Sequence, residues 1–118
     1  SPVTAQRKAI LLYLQGNTAH PTAATILEAI TRDFPIISRA TVYNTLSLLE
    51  EIGALQTLRG ADGSLRYDPN LTPHHHLYCP ACHALQDVPA SEVTLLFQGK
   101  PAMGTVMLEV PCSHCATR

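Results

Sequence analysis

The four cysteines of this 118-residue sequence form two C-x-x-C pairs, Cys79 with Cys82 and Cys112 with Cys115. Four thiolates match the tetrahedral coordination of Zn²⁺ in structural sites, and they leave no open position for a substrate. We therefore expect a zinc clip that joins the two ends of the second half of the chain. Two disulfides, four free thiols or a redox dithiol are the alternatives.

A second group of potential metal ligands contains histidines and carboxylates. His74 and His76 are separated by one residue, so both rings point to the same side of an extended segment. Asp68 precedes this pair and Asp87 follows it. Imidazole nitrogens with carboxylate oxygens suit Mn²⁺, Fe²⁺ or Zn²⁺, and such a site exchanges metal more readily than four thiolates do. The alternative is that the histidine tract is exposed and binds nothing.

The first 68 residues contain no cysteine, and their pattern predicts three helices followed by a hairpin. Apolar residues recur at helical spacing, and capping residues or glycines mark the helix ends. Two β-prone runs, Leu55–Leu58 and Leu65–Tyr67, flank a turn of the loop type that joins hairpins. The predicted helices begin at Thr4, Pro21 and Ser38 and end near Gly16, Phe34 and Gly53.

This order of elements is typical of a winged helix, in which the third helix reads DNA. Val42, Leu46 and Leu49 would face the core. The exposed side would then carry side chains that hydrogen-bond bases or phosphates, namely Arg39, Tyr43, Asn44 and Ser47. A small helical domain with a polar surface is the alternative. The net charge of −1 does not decide between these two interpretations, because a near-neutral domain binds DNA when its cations lie on one face.

The chain divides at residues 69–73, whose composition is typical of a linker. We expect a first domain at residues 1–68, a hinge at 69–73 and a second domain at 74–118. In the second domain, Leu85–Val88 and Thr105–Val110 are predicted strands, and Ser91–Gln98 is a predicted short helix capped by Ser91. So short a domain buries too little apolar surface to fold alone, so it needs a metal, a partner subunit or both.

The composition excludes several classes of protein. No apolar run reaches the roughly 18–20 residues that span a bilayer, and no secretory signal peptide is visible. The sequence also contains no Gly-rich phosphate loop and no nucleophile elbow. We therefore expect a cytoplasmic protein without a membrane partner. In the cytoplasm, cysteine pairs are more often metal ligands than disulfides.

Five motifs together are more specific than any of these patterns alone. They are His20-Pro21-Thr22-Ala23, Ala40-Thr41-Val42-Tyr43-Asn44-Thr45-Leu46, Leu49-Glu50-Glu51-Ile52-Gly53, His74-His75-His76-Leu77-Tyr78-Cys79-Pro80-Ala81-Cys82 and the closing Cys112-x-x-Cys115. With these motifs, nearly the whole chain resembles the ferric uptake regulator family of bacterial metal-dependent repressors.

The resemblance implies an α+β fold: an N-terminal winged-helix DNA-binding domain followed by a small α/β dimerisation domain with a four-cysteine zinc site. The structural zinc ligands would be Cys79, Cys82, Cys112 and Cys115. The regulatory metal, Fe²⁺ or Mn²⁺ or else Zn²⁺, would be bound by His20, Asp68, His74, His76 and Asp87. Because the family's ligands come from both domains, the metal would fix the angle between them and favour the conformer that fits DNA.

The same resemblance implies a homodimer that binds a palindromic operator in double-stranded DNA. Tyr43 matches a base-contacting tyrosine of the family, and Arg7 matches a basic position of the first helix that contacts phosphate. The other expected DNA-contacting residues are Arg39, Thr41 and Asn44.

Two residues resemble the peroxide-sensing branch of the family. They are Asn44, which follows Thr-Val-Tyr, and Asp87, where iron-sensing members carry glutamate. In that branch peroxide reacts at the Fe²⁺ site and oxidises a ligand histidine, for which His20 and His74 are the candidates. The histidine that usually precedes the last strand, near Met107, is absent, so we do not expect the family's additional metal site.

The sequence leaves three functions to be distinguished. The first, and the one we expect, is a metal-responsive transcriptional repressor that is not an enzyme. The second is a zinc-dependent enzyme that uses His74, His76 and a carboxylate around an open metal position. The third is a constitutive DNA-binding protein in which zinc is only structural.

Overall fold

The computed structural model describes residues 2–60 and 62–116, and it divides into two compact units. Unit 1 contains the described residues up to Arg59 and the segment Gly63–Leu71, and unit 2 contains Gly60, Asp62 and the residues from Thr72 onward. The helices are α1 (Pro2–Leu14), α2 (Ala23–Thr31), α3 (Arg39–Glu51) and α4 (Ser113–Ala116). The strands are β1 (Gln56–Arg59), β2 (Leu65–Asp68), β3 (His74–Tyr78), β4 (Leu85–Pro89), β5 (Leu96–Phe97), β6 (Lys100–Pro101) and β7 (Met107–Glu109).

Unit 1 consists of three helices and an antiparallel hairpin, β1–β2. Ser38 caps α3 as the sequence predicts, since its side chain accepts a hydrogen bond from the backbone N–H of Thr41 at 3.0 Å. Helix α2 begins at Ala23, just after the predicted start at Pro21, and the side chain of Thr22 caps it by accepting from the N–H of Thr25 at 3.2 Å. Gly53 follows α3 with a φ of 77°, which glycine adopts without a steric penalty. The sequence prediction of three helices and a hairpin is confirmed.

The core of unit 1 is aliphatic and complete within the unit. Helices α1, α2 and α3 all contribute buried side chains to this core. Leu55, just before β1, and Tyr67 of β2 complete it. The backbone N–H of Tyr67 also donates to the carbonyl oxygen of Pro21 at 2.9 Å, which ties β2 to the segment before α2. The most deeply buried apolar side chains are Ile10, Ile26, Val42 and Leu46. The predicted inward side of α3 is therefore correct.

Unit 2 contains a three-stranded sheet in the order β4-β3-β7. Strand β4 is antiparallel to β3 and places Asp87 opposite His76, while β7 is parallel to β3 and places Met107 opposite His76. A second, very short hairpin is formed by β5 and β6. Within residues 2–60 and 62–116, the helices are all too short or too polar to cross a membrane.

Two predicted helix positions are wrong. Thr4 does not cap α1 but lies inside it, because the helix already begins at Pro2, a residue suited to a first helical turn. The predicted helix Ser91–Gln98 is replaced by a 3₁₀ turn at Ala90–Glu92 and by the β5–β6 hairpin. The side chain of Ser91 caps no helix, and Gln98 and Gly99 adopt φ values of 52° and 80°, as a two-residue hairpin turn requires.

Leu46→Ala is expected to destabilise unit 1 by about 2–5 kcal/mol, because Leu46 is fully buried and truncation leaves a cavity. Urea unfolding followed by helical circular dichroism measures this loss. Leu48→Ala is the matched control, since Leu48 lies on the same helix but is 41% exposed. Equal midpoints for the two variants would contradict the assigned core.

Candidate metal centres and nucleic-acid interface

The parallel pairing of β3 and β7 brings the two cysteine pairs together. Each strand is followed closely by a C-x-x-C pair, and the carboxyl ends of parallel strands lie at the same edge of a sheet. The pairing continues past the strands, since the N–H of Val110 donates to the carbonyl oxygen of Tyr78 at 3.0 Å. A tight turn at each pair then orients the thiols. The N–H of His83 donates to the carbonyl oxygen of Cys79, and the N–H of Ala116 donates to the carbonyl oxygen of Cys112, both at 2.8 Å.

The four sulfur atoms lie within 4.8 Å of one another. The Sγ atoms of Cys82 and Cys112 are 3.8 Å apart. Sulfurs bound tetrahedrally to one zinc at 2.3 Å would be about 3.8 Å apart, so the cluster suits a structural zinc ion. The separation is far longer than an S–S bond of roughly 2.05 Å, and the structure joins no two of these cysteines in a disulfide.

The four thiols differ in acidity. Hydrogen bonds from backbone groups of Cys112 and Cys82 to the sulfur of Cys79 lower the pKa of this thiol to about 6. The hydrogen bond between Cys115 and Cys112 raises the pKa of Cys115 to about 12. Hydrogen bonds that lower the pKa of Cys79 favour the thiolate form that a zinc ion requires.

The second candidate centre, which we call the triad, consists of His74, His76 and Asp87 in unit 2. The Nε2 atoms of the two histidines are 3.1 Å apart, and each lies 3.3 Å from Oδ1 of Asp87. The geometry follows from the sheet, because residues i and i+2 of β3 share a face and Asp87 is the cross-strand neighbour of His76. Two imidazoles and one carboxylate on one face leave further positions of a metal open.

A hydrogen bond fixes the orientation of His74 within the triad. Its Nδ1 donates to the carbonyl oxygen of Thr72, so Nε2 faces the other triad atoms and is the nitrogen available to a metal ion. His74 is 7% exposed, so the histidine tract is not exposed to solvent as the alternative interpretation expected.

A histidine–carboxylate pair, which we call the pair, lies in unit 1. Nε2 of His20 is 3.5 Å from Oδ2 of Asp68, and both side chains are buried. His20 has a φ of 53°, in the left-handed region that non-glycine residues seldom adopt. Its carbonyl oxygen accepts a hydrogen bond from Arg66, and Oδ1 of Asp68 accepts one from the N–H of Asn70. The unusual backbone is thus held in place by β2, as is typical of functional positions.

The residues expected to contact DNA lie on the surface of unit 1. Arg39, Tyr43 and Asn44 are exposed along α3, and Arg7 is exposed on α1. Thr41 is only half-exposed, and its hydroxyl lies 2.9 Å from that of Ser38 in the helix cap. Thr41 therefore acts in the structure as part of the cap of α3.

Sequence reasoning missed the role of His75. This side chain is 3% exposed, and its Nδ1 accepts a hydrogen bond from the backbone N–H of Val106 at 3.0 Å. Side chains alternate along β3, so His75 lies on the side opposite to His74 and His76. This alternation could have been predicted from the sequence. Its bond anchors the segment that leads into β7 and so helps to align the second cysteine pair.

The model of the ferric uptake regulator family matches residues 2–101 of the chain. The chain belongs to this family. The peroxide-responsive repressor PerR of Staphylococcus aureus strain USA300 is 44% identical to it over 85 residues, which are 72% of this chain and 57% of that protein. The chain thus spans little more than half the length of the curated relatives it matches.

Solved structures of the family show the same fold. The crystal structure of the Campylobacter jejuni peroxide stress regulator has a TM-score of 0.75 and 25% identity, and it covers 96% of this chain and 90% of its own. The Helicobacter pylori ferric uptake regulator has a TM-score of 0.77 and 22% identity, over 95% of this chain and 80% of its own. The expected α+β fold, a winged helix followed by a small α/β unit with four clustered cysteines, is confirmed.

Proposed function

We propose that this protein is a cytoplasmic, metal-responsive transcriptional repressor that binds operator DNA as a homodimer. The observation that carries the proposal is the triad, a metal-binding arrangement assembled on paired strands in a chain whose other unit is a winged helix. Zinc at the four cysteines would be structural, because four thiolates complete its coordination.

We further propose that one regulatory ion, Fe²⁺ or Mn²⁺, takes ligands from both the triad and the pair. The donor chemistry supports this, since three imidazoles and two carboxylates together offer the five or six N and O ligands that such ions accept. His74 and Asp68 are already oriented by hydrogen bonds to their neighbours, so little ordering would remain for the ion to impose. An ion that binds one conformation of the protein more tightly than another shifts the population toward that conformation.

The operator contacts would be made by α3, whose N-terminal half enters the major groove in proteins of this architecture. Arg39 and Asn44 provide the donors and acceptors that read base edges, and Arg7 provides a phosphate contact. The bare chain has a net charge of −1, so bound cations and dimerisation would supply the positive field that DNA binding needs.

The test is a selection from a library of random duplexes, carried out with Mn²⁺, Fe²⁺ or Zn²⁺ and with a chelator that spares the thiolate zinc. The proposal expects one enriched palindrome in a metal arm and none with chelator. Equal enrichment in all arms would establish the constitutive DNA-binding protein instead. Hydrolysis of a test substrate that disappears in His76→Ala would establish the zinc enzyme.

Peroxide sensing is the second candidate, and Asp87 together with the likeness to PerR favours it. If peroxide is the signal, DNA binding by the Fe²⁺ form should fall on addition of hydrogen peroxide while the Mn²⁺ form is unaffected. Peptide mass spectrometry should then find one added oxygen atom on His20 or His74. A response that is equal in both metal forms, or a mass change elsewhere, would contradict peroxide sensing.

Tyr43→Ala is expected to weaken binding to the selected duplex about tenfold, because a base contact contributes roughly 1–3 kcal/mol. Fluorescence anisotropy at fixed salt and Mn²⁺ measures the change. Ile52→Ala serves as the control, since Ile52 is also strongly exposed but follows the far end of α3. An unchanged affinity in Tyr43→Ala would remove this residue from the interface.

A further inference from the structure

His75 has one ring nitrogen that its protein neighbours leave unused. The side chain is 3% exposed, and its Nδ1 accepts the hydrogen bond from the backbone N–H of Val106. Because Nδ1 is the acceptor, the neutral ring carries its hydrogen on Nε2. Within residues 2–60 and 62–116, no group accepts a hydrogen bond from this Nε2. A donor on so deeply buried a side chain costs free energy until it meets an acceptor.

A cavity of about 290 Å³ lies against the ring of His75, at the base of the β5–β6 hairpin. It is on the side of β3 opposite to the triad, because neighbouring residues of a strand face opposite sides. Its lining is mostly apolar and includes Val93, Leu95 and Met103. An apolar cavity of roughly 150 Å³ already holds benzene. The cavity therefore has room for a ring-sized molecule with a short substituent.

The lining also determines which charge a ligand can carry. The described residues around the cavity include no aspartate, glutamate, lysine or arginine. An ion would leave water for walls that offer it no counter-charge, which is costly, whereas a neutral molecule would not. Thr105 adds a hydroxyl to the lining, so His75 and Thr105 are two polar groups in an otherwise apolar surface. Binding sites for small molecules have this composition.

We propose that this cavity binds a neutral, ring-sized organic molecule whose carbonyl oxygen accepts a hydrogen bond from Nε2 of His75. The site contains neither a cysteine nor a triad residue, so it is separate from both candidate metal centres of unit 2. It goes beyond the proposed function and does not depend on it. Since His75 lies between His74 and His76, a ligand held there contacts the strand that carries the triad.

Three small probes of similar shape test this chemistry on the zinc-loaded protein. Acetophenone has the carbonyl acceptor, α-methylstyrene has a CH₂ group in its place, and benzoate is an anion. One hydrogen bond contributes enough for acetophenone to bind about three- to tenfold more tightly than α-methylstyrene. Benzoate should bind more weakly than both, because the lining offers it no counter-charge.

The two methionines of the chain provide the signal for this titration. Met103 lines the cavity, whereas Met107 lies on β7 outside the lining. In protein labelled with ¹³C at the methionine methyl groups, acetophenone should shift the Met103 resonance in a saturable manner. The Met107 resonance should shift much less, and it serves as the internal control.

Two variants separate the cavity from the hydrogen bond. Ala102→Leu fills the cavity and keeps His75, so it should abolish binding of acetophenone. Ala24→Leu, at an exposed position of α2 in unit 1, should bind acetophenone like the wild type. His75→Asn keeps an acceptor for the N–H of Val106 but lacks the part of the ring that carries Nε2. In His75→Asn, acetophenone and α-methylstyrene should therefore bind equally well.

The outcomes that overturn the proposal are distinct. Equal affinities of acetophenone and α-methylstyrene for the wild type, or tighter binding of benzoate, would contradict the assigned ligand chemistry. Binding that persists in Ala102→Leu would place the probe elsewhere. A Met103 resonance that no probe moves would refute the site, and it would assign the lining to contact with a second copy if the protein is dimeric in the same sample.

Discussion

Asp87→Ala is expected to abolish the response of DNA binding to metal. Oδ1 of Asp87 lies 3.3 Å from Nε2 of both His74 and His76, so it is the one carboxylate of the triad and holds its centre. Loss of even an outer hydrogen-bond partner of a metal ligand typically costs 10–100-fold in affinity, so removal of this carboxylate should weaken Mn²⁺ binding by about 100-fold or more. Calorimetry measures the metal affinity, and anisotropy on the selected duplex measures the DNA affinity.

Two variants on the same strand control for this effect. Gln86 is exposed, and because it neighbours Asp87 on the strand its side chain points away from the triad. Gln86→Ala should therefore leave the affinities for metal and for DNA at wild-type values. Asp87→Asn keeps the shape and one carbonyl oxygen but removes the charge, and it should fall between wild type and Asp87→Ala. If Asp87→Ala binds Mn²⁺ and DNA as the wild type does, the triad is not the regulatory site.

Cys79→Ser should release the zinc ion and unfold unit 2 while unit 1 stays folded. Structural zinc contributes about 10–16 kcal/mol in small domains, so one of four thiolates accounts for roughly 3 kcal/mol or more, which is over 100-fold in affinity. Unit 2 has few buried apolar side chains to compensate, whereas unit 1 has its own core. Limited proteolysis should therefore cut beyond Thr72 and spare the first three helices.

Ser113→Ala is the matched control, because Ser113 lies between the cysteines of the second pair, is exposed and brings no thiolate. It should retain zinc and resist the protease like the wild type. A Cys79→Ser protein with full zinc content and an intact unit 2 would show that the four cysteines do not form one site.

Local signals were sufficient wherever a single segment determined the outcome. The cap at Ser38 and the inward residues of α3 follow from helix chemistry alone, and the structure contains them as predicted. The common face of His74 and His76 follows from the two-residue period of a strand. The convergence of the cysteines was also predicted, because two C-x-x-C pairs supply the four thiolates of a tetrahedral zinc site.

Strand registers and the turns that set them could not be predicted from local patterns. Nothing local to Asp87 fixes its position opposite His76, since the register depends on the turn between β3 and β4. The segment after β4 was mispredicted because Ser91, followed by apolar residues, has the pattern of a capped helix. In the structure, Gln98 and Gly99 instead form a hairpin turn. This segment also holds the exposed Phe97.

The central claim is that one divalent ion per chain, bound by residues of the triad and the pair, controls the affinity for DNA. The most direct measurement is a Mn²⁺ titration of zinc-loaded protein on the selected duplex, in wild type and in His20→Ala. The wild-type affinity should rise about 100-fold and saturate at one added ion per chain, and His20→Ala should show no such rise. Equal affinity with Mn²⁺ and with chelator, or a wild-type response in His20→Ala, would contradict the account.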